Sequence, residues 1–249
     1  MKEKRKTSPA SMFFGILFFG SLLGLVYLGG RELKNEIQVH DMAKKVKTYK
    51  IEADDGFDWD GLKSANSDTV GWLHFDVPEQ IDYPIVQGDS NQKYLKLDFY
   101  GNYSIYGAIF LNSNNKPDFT DMNSVLYGHR MIDGSMFGSL KKYGDQSFLD
   151  ANPYFYVYTP DGKKRKYEIC AYGTATDGTD VYSFNFDSPA ERNAQIKLMM
   201  DGAITTRDVT LDELDTTIIL STCASHGYYD RMIIIGKLIG IYEGQPHDK

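Results

Sequence analysis

The residue best placed for nucleophilic chemistry is Cys223. It ends the apolar run Thr217-Ile218-Ile219-Leu220-Ser221-Thr222-Cys223, which stops abruptly in small polar residues, and Gly227 follows shortly after. That pattern predicts a thiol at a strand end near the surface rather than in mid-core. Arg231 comes eight residues later and opens a second apolar run, Met232-Ile233-Ile234-Ile235. If the two runs pair as neighbouring strands, Cys223 and Arg231 face each other across the connecting loop. A permanent cation beside a thiol favours the thiolate, which is the nucleophilic form. A guanidinium also donates hydrogen bonds to an oxyanion or a substrate carbonyl. An ordinary loop arginine beside a buried cysteine leaves the same local pattern, so the pair alone decides nothing.

A nucleophilic cysteine needs a proton-transfer partner. Of the five histidines, His40 falls on a charged helical segment, His247 in the tail, and His74 alternates with Trp72 and Asp76 within a strand; these three read as surface or structural. His226 is three residues from Cys223, too close along the chain for imidazole and thiol to meet easily, and it stands as the lesser alternative. His129 is the stronger choice. It ends Ser124-Val125-Leu126-Tyr127-Gly128 and precedes the glycine-containing loop Met131-Ile132-Asp133-Gly134, which fits a titratable ring at a barrel rim. The second cysteine, Cys170, lies in the alternating stretch from Lys166 to Tyr172 and reads as a small buried core residue.

These residues must be positioned by short strands broken by turn residues. The expected strands are Gly71–Val77, Tyr83–Gln87, Tyr106–Leu111, Ser124–Gly128, Tyr154–Thr159, Lys164–Ala175, Thr216–Cys223 and Arg231–Tyr242. Pro160-Asp161-Gly162 is a hairpin signal between the fifth and sixth. Such spacing predicts a barrel or sandwich. Two helices interrupt it: Phe57–Ser67, with Asp58 as its cap, and a helix from Ser188 to about Met200, with Ser188 as N-cap and Pro189 in the first turn. The later helix should bury Ile196, Met199 and Met200. It serves either as a wall of a substrate groove or as packing over a barrel end.

The N-terminus has its own logic. Lys2, Lys4, Arg5 and Lys6 precede an uncharged apolar run from Met12 to Gly30, about 28 Å as a helix and close to the hydrocarbon thickness of a bilayer. A cleaved signal peptide has a shorter apolar centre, so an uncleaved anchor with a cytoplasmic N-terminus is expected. The boundaries that follow are a tail and anchor over residues 1–30, a stalk helix and linker over 31–56, a catalytic domain over 57–243, and a tail over 244–249. The net charge of −7 argues against a nucleic-acid partner. No ligand cluster calls for a metal, and no cofactor is expected.

Taken in order along the chain, these residues resemble the sortases. Leu220-Ser221-Thr222-Cys223, Arg231 eight residues on, and Tyr127-Gly128-His129 upstream carry the likeness. Asp58-Trp59, Val70-Gly71-Trp72, Tyr83-Pro84-Ile85-Val86-Gln87-Gly88, Asn91, Tyr94-Leu95, Gly107-Ala108-Ile109-Phe110 and the helix from Ser188 resemble class B in particular. The resemblance implies a closed mixed β-barrel and an extracellular Cys-His-Arg site: Cys223 as nucleophile, His129 as acid and base, and Arg231 positioning the substrate and stabilising the oxyanion. It also implies that Asn91, Leu95, Tyr182 and Ser221 line the substrate groove. The implied partners are surface proteins with a C-terminal sorting signal of the Asn/Ser-Pro-x-Thr type, cleaved after the threonine, and an amine of a peptidoglycan precursor.

Two competing readings are a hydrolytic cysteine protease and a membrane-anchored binding module whose two cysteines form a disulfide. The first prefers a cysteine at a helix start with its histidine downstream.

Overall fold

A computed structural model describes residues 9–51, 56–176, 186–222 and 230–243. The chain divides into two compact units, Met1–Asp41 and Met42–Lys249. Helix α1 (Pro9–Val46) holds the apolar run in its first half. It is the one described helix long and apolar enough to cross a membrane. Within the first unit its large side chains are uncovered, Leu23 being 70% exposed; exposed apolar patches of this size mark contact surfaces for protein or membrane.

The second unit is built from eleven described strands and three further helices. In chain order they are β1 (Lys50–Ile51), β2 (Gly56–Phe57), α2 (Trp59–Ala65), β3 (Thr69–His74), β4 (Asp82–Val86), β5 (Ile109–Leu111), β6 (Asn123–Gly128), α3 (Gln146–Ala151), β7 (Tyr154–Tyr158), β8 (Lys163–Thr176), α4 (Pro189–Asp201), β9 (Thr205–Thr206), β10 (Thr217–Thr222) and β11 (Asp230–Glu243). A nine-stranded sheet runs β11-β10-β6-β5-β4-β3-β7-β8-β9, and β11 also pairs with β8. The second pairing closes a ring that leaves only β9 outside. The pairs β10–β6 and β4–β5 are parallel and the remaining neighbours antiparallel, so the barrel is closed and mixed as expected.

The sequence explains why the ring closes where it does. Strands β6 and β10 are buried along their whole length, which is why they read as continuous apolar runs rather than alternating ones. Strand β11 must bend to meet β10 at one end and β8 along its length, and its register shifts at Ile235/Gly236 and Leu238/Gly240. Gly236 sits at the first shift, where a Cβ would lie 2.8 Å from the Phe155 ring; a bulge with a glycine is the usual way a strand turns a barrel corner. The β7–β8 hairpin turns through Gly162 at φ 79°, with Thr159 N–H donating to Lys163 O.

The helices obey their caps. Asp58 accepts from Gly61 N–H at 2.9 Å, and the Phe57 ring beside it packs on Trp72 and Tyr158. Ser188 accepts from Glu191 N–H, while the Glu191 carboxylate accepts from Asp187 N–H, a reciprocal pair, close to a capping box, that ties the first turn of α4 to the residue before its cap. Ile196 is fully buried as expected, whereas Met199 and Met200 are half-buried. The residue that the helical pattern did not single out is Arg192, with no exposure at all. Its guanidinium donates to the carbonyls of Met122, Asp215 and Asp212. Those carbonyls precede β6 and β10, so the first turn of α4 is packing over the end of the barrel where these two strands begin. A buried arginine is tolerated there because backbone oxygens replace the water it loses.

Candidate active site

Parallel strands end on the same side of a sheet. In the β6–β10 pair, Thr222 is opposite Gly128, so the residue after Gly128, His129, emerges where β10 also ends. Strand β11 returns antiparallel beside β10, with Ser221 opposite Ile233 and Met232 N–H donating to Thr222 Oγ1 at 3.0 Å. On its other side Arg231 pairs with Ala175 of β8. His129 and Arg231 therefore flank the C-terminal end of β10 on one barrel rim, each half-buried. Cys223, Tyr182 and His226 lie outside the described residues.

The local structure around His129 is held from several sides. Gly128 lies under the Phe137 ring, which a Cβ would meet at 2.7 Å. Phe137 N–H donates to His129 O at 3.0 Å, and Arg130 bridges to Met136. Asp133 accepts from both the amide and the hydroxyl of Ser135, and Met136 N–H reaches the Tyr83 hydroxyl. The loop after β6 is thus a rigid, hydrogen-bonded turn. Against the imidazole itself lies Tyr106, ring centroids 5.1 Å apart and planes inclined by 54°. Sequence reading assigned Tyr106 to a strand; its role shows only through Gly107, whose φ of 62° ends any strand there and turns the ring toward β6.

The expected groove residues take different places. Leu95 is half-buried in a 3-10 turn, Lys93–Leu95, whose Tyr94 carbonyl accepts from Ala108 N–H, on the side of β5 that Tyr106 and His129 share. The Asn91 amide oxygen instead accepts from Ser113 N–H at 2.7 Å, past the other end of β5. Ser221 is fully buried within β10, its hydroxyl 3.4 Å from Thr222 O.

Cys170 is a free thiol with no exposure, packed in the barrel core. Burial, aided by the Glu168 charge, pushes its thiol up to about 12, the opposite of what a nucleophile needs. Its free state removes the disulfide on which the binding-module reading rests. A Cys223→Ala variant, left with this thiol alone, is expected to give no reaction with a disulfide reagent when native and one equivalent after unfolding; a native equivalent would contradict the burial. His74 is structural: its Nδ1 lies 3.0 Å from Asp82. Among the described residues no group of His, Cys, Asp or Glu is arranged to hold a metal.

The fold agrees with what is known of other proteins. The sequence model of the sortase domain matches residues 76–239. The chain belongs to the sortase family. The relatives place it in class B: it is 32% identical over 243 residues to sortase B of Listeria monocytogenes, covering 89% of this chain and 97% of that one. It is 28% identical over 188 residues to sortase B of Staphylococcus aureus, covering 74% and 75%. A crystal structure of sortase B from Bacillus anthracis superposes with a TM-score of 0.72 at 29% identity, over 83% of this chain and 99% of that one. This class B sortase is therefore a cysteine transpeptidase, and the rim where β6 and β10 end is its candidate active site.

Proposed function

We propose that this sortase cleaves a C-terminal sorting signal after its threonine and transfers the acyl fragment to an amine of a cell-wall precursor, with Cys223, His129 and Arg231 as the catalytic set. The observation that carries the reading is the pairing of Thr222 with Gly128 in parallel strands, which brings the chain ends leading to Cys223 and His129 to one rim. The β10–β11 pairing runs to Ser221 and Ile233 and Met232 N–H bonds Thr222 Oγ1, which leaves Arg231 at the same end of β10.

In the first half-reaction the Cys223 sulfur bonds to the threonine carbonyl carbon, Arg231 stabilises the oxyanion, and the peptide C–N bond breaks as His129 hands its proton to the leaving amine. The thioester then waits for the acceptor. The incoming amine gives its proton to His129, attacks the carbonyl carbon and expels the thiolate. A thiol suits this cycle because its ester survives until an amine arrives. Two related structures support the two substrates: one is a substrate complex of Staphylococcus aureus sortase B, the other a sortase B complexed with triglycine. Helix α1 would anchor the enzyme through residues 1–30 with the N-terminus inside, so that residues 57–243 work outside the membrane where a tethered cargo and a lipid-linked precursor meet.

The test is to incubate the full chain in detergent micelles with peptides carrying Asn-Pro-x-Thr or Ser-Pro-x-Thr and with triglycine. A mass adduct ending in threonine on Cys223, followed by a threonyl-triglycine product, is expected. Cleavage at another residue, or cleavage with no adduct on that cysteine, overturns the reading.

A further inference from the structure

Tyr106 lies beside the rim, and nothing in the chemistry just described uses it. Its backbone is fixed on both sides. Tyr106 N–H donates to Ser104 Oγ, Gly107 N–H to Ser104 O, and Ala108 N–H to Tyr94 O. Gly107 holds φ 62°, and a Cβ there would lie 2.1 Å from the Tyr94 carbonyl oxygen, so the turn that follows Tyr106 is one only glycine makes. The ring is 8% exposed and meets the imidazole of His129 at 5.1 Å. On the far side, the Gly128–Phe137 contact and the Phe137 N–H to His129 O bond fix the histidine backbone. The imidazole hangs from a pinned backbone against a pinned ring, and its freedom to rotate is limited by that ring.

We propose that Tyr106 is a positioning residue for His129: its ring holds the imidazole in the orientation that proton transfer to and from the amine requires. The inference rests on His129 being the acid and base. Proton transfer demands reach and alignment within a few tenths of an ångström, and a ring at the end of two rotatable bonds does not keep that alignment without a neighbour. A centroid distance of 5.1 Å lies in the range of favourable aromatic pairs and within the roughly 6 Å reach at which a ring also attracts a cation. The contact is therefore kept in both halves of the cycle and is slightly better when the imidazole carries its extra proton. Among the described residues, the charged ones on the segments bounding this rim include Arg130 and Asp133 after β6, Asp230 and Arg231 on β11, and Lys96 and Asp98 beside the Tyr103–Gly107 turn; Asp133 holds Ser135 and Asp98 holds the amides of Tyr100 and Asn102.

The test compares Tyr106→Phe and Tyr106→Leu with the wild-type full chain in detergent micelles. It reads kcat and KM against pH on an Asn-Pro-x-Thr peptide, and the His129 imidazole titration by NMR, assigned with His129→Ala. Phenylalanine keeps the ring, and its kcat is expected within about twofold of wild type. Leucine fills the space without a π face; its kcat is expected to fall about tenfold at unchanged KM, with the His129 midpoint lowered by about 0.5 in pH. A leucine variant with wild-type kcat and titration overturns the inference even if its Tm drops, and so does a phenylalanine variant as impaired as leucine. If His129→Ala itself keeps turnover, the acid–base reading falls first; if it is inactive while leucine is not, only the positioning role falls.

Discussion

Replacing Cys223 by alanine should lower turnover of a sorting peptide by about 10⁴-fold or more, and replacing His129 by alanine by a similar order, with KM changed little in both. The magnitude follows from what is lost. Without the sulfur no thioester forms, and what remains is the orientation and charge stabilisation given by the rest of the groove. Without the imidazole the thiol has no partner to take its proton and the leaving amine none to give it one. Because the two act as one device, the double variant should be scarcely worse than either single one. Arg231→Lys keeps the charge but loses the planar fork, and should fall between wild type and Arg231→Ala. Wild-type turnover should follow a bell-shaped pH profile, since the reactive form needs one group protonated and its partner not. Steady-state kinetics of the singles and the double decide this. A double variant whose loss equals the product of the single losses would show that the two residues work independently, and a rate flat between about pH 6 and 9 would remove the acid–base role.

The strand ends that form this rim were legible in the sequence because their determinants are local. Cys223 and His129 each follow an apolar run whose end is marked by small residues, and such runs fix strand type and end point without reference to partners. The β7–β8 hairpin and the α4 cap were legible for the same reason: Asp161-Gly162 and Ser188-Pro189 act on the chain within a turn. What could not be read is where strands go once they leave their turns. The parallel pairing of β6 with β10 joins segments about ninety residues apart, and no periodicity marks it. The strand expected from Tyr106 begins instead at Ile109, because the Tyr94 carbonyl claims the Ala108 amide. The strand expected at Gly71–Val77 lies at Thr69–His74, and Phe75 N–H still bonds Ile81 O one step further along the β3–β4 register before the chain turns back. Arg192 sits in a helix whose pattern marks it as a solvent residue, and the carbonyls of Met122, Asp212 and Asp215 before β6 and β10 draw it in. At Ala108 and Arg192 tertiary hydrogen bonding overrides local preference.

Asp82 shows how large such a hidden determinant is, and its removal is the second change expected to act strongly. It is 5% exposed, in a strand whose pattern reads as plain core. Its carboxylate accepts from Trp72 Nε1 at 2.8 Å and from Lys50 Nζ at 3.0 Å, with His74 Nδ1 at 3.0 Å. Burial pushes this carboxyl up, but the hydrogen bonds from His74, Trp72 and Lys50 and the lysine charge outweigh it and hold it well below the usual carboxylate range. Asp82→Ala leaves an indole N–H and a lysine partly desolvated with nothing to accept them, a loss of about 3 kcal/mol, or a fall of about 10 °C in Tm for a unit of this size. The pH dependence carries a sign that tests the cause. A carboxyl depressed in the folded state stabilises fully above its unfolded value of about 4, and that contribution is lost as pH falls below it. The stability gap between wild type and Asp82→Ala should therefore be constant from about pH 7 to 5 and narrow by about 1.4 kcal/mol for each pH unit below about 4. Urea unfolding followed by the fluorescence of Trp72, which touches the site directly, measures both. A gap that stays constant down to about pH 3 would mean that Asp82 acts through packing alone, and that the charge on this carboxylate is not what holds β3, β4 and Lys50 together.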